Sequence, residues 1–156
     1  MLVEVKIGAL IMDPNTNTPI IVLKGVDTET ILPIWVGAYE ANAIALEIEK
    51  IASQRPLTHD LLKNFILETG LKLSKVIISD LQSNTFYALL ELVDVQGKIL
   101  SMDSRPSDAI ALALRLDCPI FVKQKVFDFS NISVDSQTDS NNDVIVPVDE
   151  WPELIS

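Results

Sequence analysis

Apolar positions along the chain switch twice from the period of a strand to that of a helix. Val3 to Met12 alternates or runs apolar with β-branched residues and predicts a strand. Asp13 to Pro19 is dense in turn formers, and Ile20-Ile21-Val22-Leu23 is the returning strand of a hairpin. Thr30 to Val36 predicts a further strand, closed by Gly37. From Glu40 to about Ala52, Ile44, Ile48, Ile51 and Ala52 fall on one face at helical spacing. Arg55-Pro56 breaks that helix and starts another. Thr58 suits its N-cap, Leu61, Leu62, Phe65 and Ile66 form its apolar stripe, and Gly70 is its stop.

The pattern then returns. Lys75 to Ile78 predicts a strand, Asp80 to Asn84 a turn, Thr85 to Val93 the return strand, and Lys98 to Met102 another strand after the Gly97 turn. Pro106 to Leu116 predicts a helix with proline near its first position, and Pro119 to Val122 a short closing strand. Ala-Ile-Ala-Leu occurs at Ala43 and again at Ala109, an offset of 66 positions. The same offset carries Phe86–Leu92 onto Ile20–Val26. The expected fold is therefore α+β: an internally duplicated hairpin–strand–helix unit whose strands join one mixed sheet packed with helices. Residues 1–130 are expected to form the domain. The Ser-, Asn- and Asp-rich stretch from Ser130 to Asp143 predicts a flexible linker opening an acidic tail over 131–156, with Val144–Val148 and Trp151 as possible docking points.

Charge changes this picture little. All 12 Lys and Arg lie at or before Lys125, while seven of the 22 acids follow it, so residues 1–125 carry −3 of the net −10. A near-neutral body lacks the basic patch of a sequence-reading DNA binder. No apolar run approaches the roughly 18 residues of a membrane span, and the start lacks a basic leader followed by an apolar stretch. A soluble, membrane-free, cytoplasmic protein is expected. The single cysteine, Cys118, excludes an intramolecular disulfide and reads as a small buried hydrophobe. Trp35 reads as core.

Two look-alike stretches carry the candidate chemistry: Arg55-Pro56-Leu57-Thr58-His59-Asp60 and Asp103-Ser104-Arg105-Pro106-Ser107-Asp108. Each sets an arginine before a proline, hydroxyls, and a carboxylate in the first turn of a helix. Free N–H groups at a helix start favour an anion, and a guanidinium offers a forked donor to phosphate. Carboxylates can hold Mg²⁺ or Mn²⁺, and such an ion can activate water. His59 is the only histidine and the natural proton shuttle near neutral pH. The same residues also have structural uses: Asp60, Asp108 and Glu40 suit helix dipoles, and Arg55 and Arg105 can pair with the aspartates.

Four strings resemble the motifs of the bifunctional nuclease domain family. They are Leu32-Pro33-Ile34-Trp35-Val36-Gly37 with Glu40-Ala41 and Ala43-Ile44; Arg55 to Leu62; Thr85-Phe86-Tyr87-Ala88; and Asp103 followed by Arg105 to Ala113. The match covers about residues 1–130, in order. Asn84 stands where glycine is usual, Ser104 replaces a common alanine, and Gln54 replaces a frequent proline. The resemblance implies a nuclease acting on DNA and RNA. Under that reading His59, Asp103 and Asp108 are the candidate catalytic residues. Arg55, Arg105 and Ser107 bind substrate, and Asp103, Asp108 and Glu40 hold a divalent ion. The alternative is a non-enzymatic regulatory or assembly module that binds a small anion or a protein partner, with apolar content enough for a homo-oligomer interface.

Overall fold

The computed structural model describes residues 1–134. Strand β1 (Leu2–Met12) turns back into β2 (Pro19–Gly25), which pairs with β3 (Ile31–Trp35). Helices α1 (Ala38–Ile48) and α2 (Thr58–Glu68) follow. A second antiparallel run, β4 (Lys72–Gln82), β5 (Thr85–Val93) and β6 (Ile99–Ser104), leads into α3 (Pro106–Leu116). Strand β7 (Ile120–Lys123) and α4 (Gln124–Val134) end the described chain. Together the strands form one seven-stranded mixed sheet in the order β3-β2-β1-β7-β4-β5-β6. β7 is the keystone: it runs antiparallel to β1 and parallel to β4, welding the two runs together.

The fold is thus α+β, as the periodicity predicts. The element order hairpin–strand–helix occurs twice, but a repeated order does not make the two halves copies of one unit, and the duplication itself is not shown.

Helix α3 is the centre of the core. Ala109, Ile110, Ala111, Leu112 and Ala113 are all buried, and α3 packs against α1, α2, β4 and β5, the small alanines allowing close approach. Each such aliphatic side chain removed from water stabilises the fold by about 1.5–3 kcal/mol. Val76, Ile77, Ile78 and Ser79 are buried in succession, so β4 is covered on both faces. Among the described residues, no helix is long and apolar enough to cross a membrane.

Several expectations are corrected. α1 stops at Ile48, because the chain turns through Lys50 in the left-handed region (φ 55°). Ile48 and Ile51 are consequently exposed. In the apolar stripe of α2 only Ile66 is buried, whereas Leu61, Leu62 and Phe65 face outward. Trp35 ends an edge strand and is 54% exposed; its indole N–H donates to Asp13 Oδ2 at 3.2 Å. The second hairpin turns on Ser83 and Asn84 alone, both left-handed, a conformation that asparagine accepts where glycine is more usual. Finally, Ser130 to Val134, expected as linker, is helical: Val126, Phe127 and Ser130 bury one face of α4. The remainder of the expected linker and tail, with Val144–Val148 and Trp151, lies outside the described residues.

Candidate functional site

The first turns of α1, α2 and α3 each carry an acid at the third helical position: Glu40, Asp60 and Asp108. A carboxylate there meets unpaired N–H groups and the positive end of the helix dipole. Asp60 shows the local use directly, since its Oδ2 accepts the Leu57 N–H at 3.0 Å. Leu57, and not Thr58, is therefore the residue that opens α2.

Two of these acids are drawn together by Arg105, the residue that opens α3. Its Nε donates to Asp108 Oδ2 at 2.8 Å and one terminal nitrogen to Asp108 Oδ1 at 3.2 Å. The other terminal nitrogen meets Glu40 Oε1 at 2.8 Å, tying α3 to α1. Gly37 makes room for this: a Cβ there would collide with the Glu40 carboxylate folded back over the helix start. The guanidinium side chain is still 65% exposed, and three of its five N–H donors are used.

His59, from the first turn of α2, completes the chain of contacts. It is buried, and its Nε2 lies 2.8 Å from Asp108 Oδ1. Burial pushes the Asp108 carboxyl up, but the hydrogen bonds from Arg105 and His59 and the charge of Arg105 outweigh it, holding the group below its ordinary value. Asp108 is therefore ionised at neutral pH and only accepts hydrogen bonds. Nε2 therefore donates to Asp108, and the tautomer this hydrogen bond selects leaves Nδ1 as the ring's acceptor. Asp108 in turn raises the Arg105 pKa, so that guanidinium stays charged.

This cluster opens onto a cavity of about 770 Å³, lined by Glu40, His59, Asp103, Arg105 and Asp108 together with the apolar side chains of Tyr39, Leu62, Phe65 and Met102. A smaller cavity of about 250 Å³ is also lined by Arg105, together with Trp35, Gly37, Asn84, Phe86 and Ser107.

The structure thus joins four of the seven residues singled out from sequence: Glu40, His59, Arg105 and Asp108. Asp103 borders the larger cavity, and its side chain makes no hydrogen bond or ion pair to a described residue. It pairs with Leu89 in the β5–β6 ladder, so strand alternation sends its Cβ to the face opposite Met102 and Ser104. Ser107 is buried and belongs to the smaller cavity. Arg55 is exposed in the α1–α2 connection and lines neither cavity. Cys118 is half-buried and its thiol is pushed up to about 11, chiefly by burial, which rules out a thiolate nucleophile at neutral pH.

The carboxylates do not fit a resident divalent ion as they stand. Asp108 and Glu40 are already engaged by the Arg105 guanidinium, and Asp103 lies on the other face of β6. Among the described residues, no three His, Cys, Asp or Glu side chains come together as metal ligands.

One residue escaped the sequence reading. Arg115, its side chain only 3% exposed, donates to Asp60 Oδ1 at 2.9 Å, to the Ala111 carbonyl at 3.1 Å and to the Ala43 carbonyl at 3.0 Å. It staples α1, α2 and α3 together and fixes the turn of α2 that presents His59. Its partners lie up to 72 positions away, so no local signal could have disclosed it.

A small α+β domain thus sets a buried histidine, its aspartate partner and an exposed arginine at the mouth of a cavity. The chain belongs to the bifunctional nuclease domain family, whose profile matches residues 21–135. It is 36% identical over 147 residues to an uncharacterized protein of Mycobacterium tuberculosis, covering 94% of this chain and 87% of that one. It is 28% identical over 125 residues to bifunctional nuclease 1 of Oryza sativa subsp. indica, covering 78% of this chain and 38% of the rice protein. To bifunctional nuclease 2 of Oryza sativa subsp. japonica it is 32% identical over 111 residues, covering 69% and 34%.

Proposed function

We infer that this protein is a nuclease that hydrolyses phosphodiester bonds in DNA and RNA, with its chemistry at the Arg105–Asp108–His59 cluster. The observation that carries the reading is the pairing of a buried histidine with an ionised aspartate, 2.8 Å apart, beside an exposed guanidinium with donors to spare. Family membership and the rice relatives named as bifunctional nucleases support the same reaction.

The geometry supports the following roles. Arg105 receives a non-bridging phosphate oxygen on its two remaining N–H groups and stabilises the charge that builds there in the transition state. Asp108 holds His59 in the tautomer that leaves Nδ1 free. Nδ1 takes a proton from water as the water oxygen bonds to phosphorus. The bond from phosphorus to the leaving oxygen then breaks, and that oxygen takes the proton back from the imidazolium. No step is routed through a metal ion.

The test is a cleavage assay of purified protein on single- and double-stranded DNA and on RNA, in Mg²⁺, Mn²⁺ or chelator. The parent should cleave, in chelator as well, and His59→Gln should lose about 10²-fold or more of that rate. Equal rates for parent and variant would remove His59 from the reaction.

A further inference from the structure

Arg105 is the only described residue that lines both cavities. We propose that the two cavities are base subsites for single-stranded nucleic acid, one for each nucleotide flanking the phosphate held on Arg105. The inference deepens the nuclease reading and rests on it.

Three observations support it. First, the larger cavity is walled by aromatic and aliphatic side chains that the core leaves uncovered: Tyr39 is 73% and Phe65 65% exposed, with Met102 and Leu62 beside them. Large apolar groups gathered around one cavity, with a charged group at its mouth, mark a binding surface more than scattered exposure does. Second, the smaller cavity carries its own aromatic platform. Trp35 is half-exposed, and its indole is pinned by the hydrogen bond to Asp13, so the ring is oriented before any base arrives. Third, the charge balance leaves stacking to supply the affinity. Residues 1–125 carry a net −3, so phosphate neutralisation contributes little to holding a duplex. A duplex also keeps its bases stacked inward, whereas an unpaired strand can turn them onto aromatic faces.

The test measures the affinity of the full chain, by fluorescence anisotropy, for labelled oligothymidylate and for the same strand annealed to its complement. Tyr39→Leu, Phe65→Leu and Trp35→Leu are measured beside the parent, with melting curves to confirm folding. Loss of one stacking partner should weaken single-strand binding about 5- to 150-fold, and the duplex should bind more weakly than the single strand. Equal affinity for both forms, or unchanged affinity in folded Tyr39→Leu and Trp35→Leu, overturns the base subsites even if the parent cleaves. Single-strand binding that depends on Tyr39 and Trp35 without any cleavage upholds the subsites and overturns the nuclease reading. Failure to bind either form overturns the subsites as well.

Discussion

Asp60 and Asp108 occupy the same helical position, each two residues after a helix begins, and each meets an arginine at 2.8–2.9 Å. The arginines differ. The partner of Asp60 is Arg115, buried to 3%, with every contact directed at backbone or carboxylate within the protein. The partner of Asp108 is Arg105, 65% exposed at a cavity mouth and with donors unused. Two similar helix starts thus yield a buried staple in one case and an exposed guanidinium at a cavity mouth in the other. What separates them is where the guanidinium sits relative to solvent, and the local pattern does not contain that information.

The contrast breaks most severely at Arg115. Arg115→Ala leaves Asp60 without its counter-charge and removes the buried donor that ties the Ala43 carbonyl of α1 to α3. Unfolding free energy should fall by about 3 kcal/mol or more, read from denaturant melts. A loss below about 1 kcal/mol would mean that Arg115 is no staple.

Arg105→Ala should do the reverse. Its exposed pair contributes about 1 kcal/mol or less to stability, but removing the phosphate contact should cost about 10²-fold in cleavage rate. Melting curves and rates measured on one preparation separate the two effects.

Acid titration sharpens the same comparison. Burial pushes Asp60 up, but the Leu57 N–H and Arg115 outweigh it, so its folded pKa lies below the ordinary 3.8. Its stabilisation is present above about pH 3.8 and is lost as pH falls through the lower folded value. The melting temperature of Asp60→Asn should therefore trail that of the parent at pH 7, and the gap should close below about pH 3.8. A gap that persists unchanged in acid would exclude the charged pair as its source.

The smallest effect belongs to Arg55, the sequence look-alike of Arg105. It lines neither cavity, so Arg55→Ala should shift unfolding free energy by no more than about 0.5 kcal/mol and leave cleavage close to the parent rate. A large loss of rate would return Arg55 to the site.

Much of the fold was legible because local chemistry decided it. Pro106 at the first helical position and an alanine-rich run give α3 the bounds its sequence predicts. Thr85–Val93 is a strand over the stretch its alternation marks. The failures share one cause: periodicity reports which side chains are apolar, not what covers them. Leu61, Leu62 and Phe65 have core chemistry, yet Leu61 is exposed and Leu62 and Phe65 line a cavity. Trp35 has core chemistry and ends an edge strand. The helical spacing of Val126, Phe127 and Ser130 was available but was masked by the polar composition around it. At the site, residue types led to His59, Arg105 and Asp108, whereas only tertiary placement separated them from Arg55 and Asp103 and disclosed Arg115.

The central claim is that chemistry resides at the start of α3 and structure at the start of α2. It is tested most directly by measuring cleavage of single-stranded DNA by purified Asp108→Asn and Asp60→Asn, each at a temperature where melting curves show it folded. The account predicts that Asp108→Asn loses about 10²-fold or more of the parent rate while Asp60→Asn retains activity. Parent-like cleavage by Asp108→Asn would contradict it.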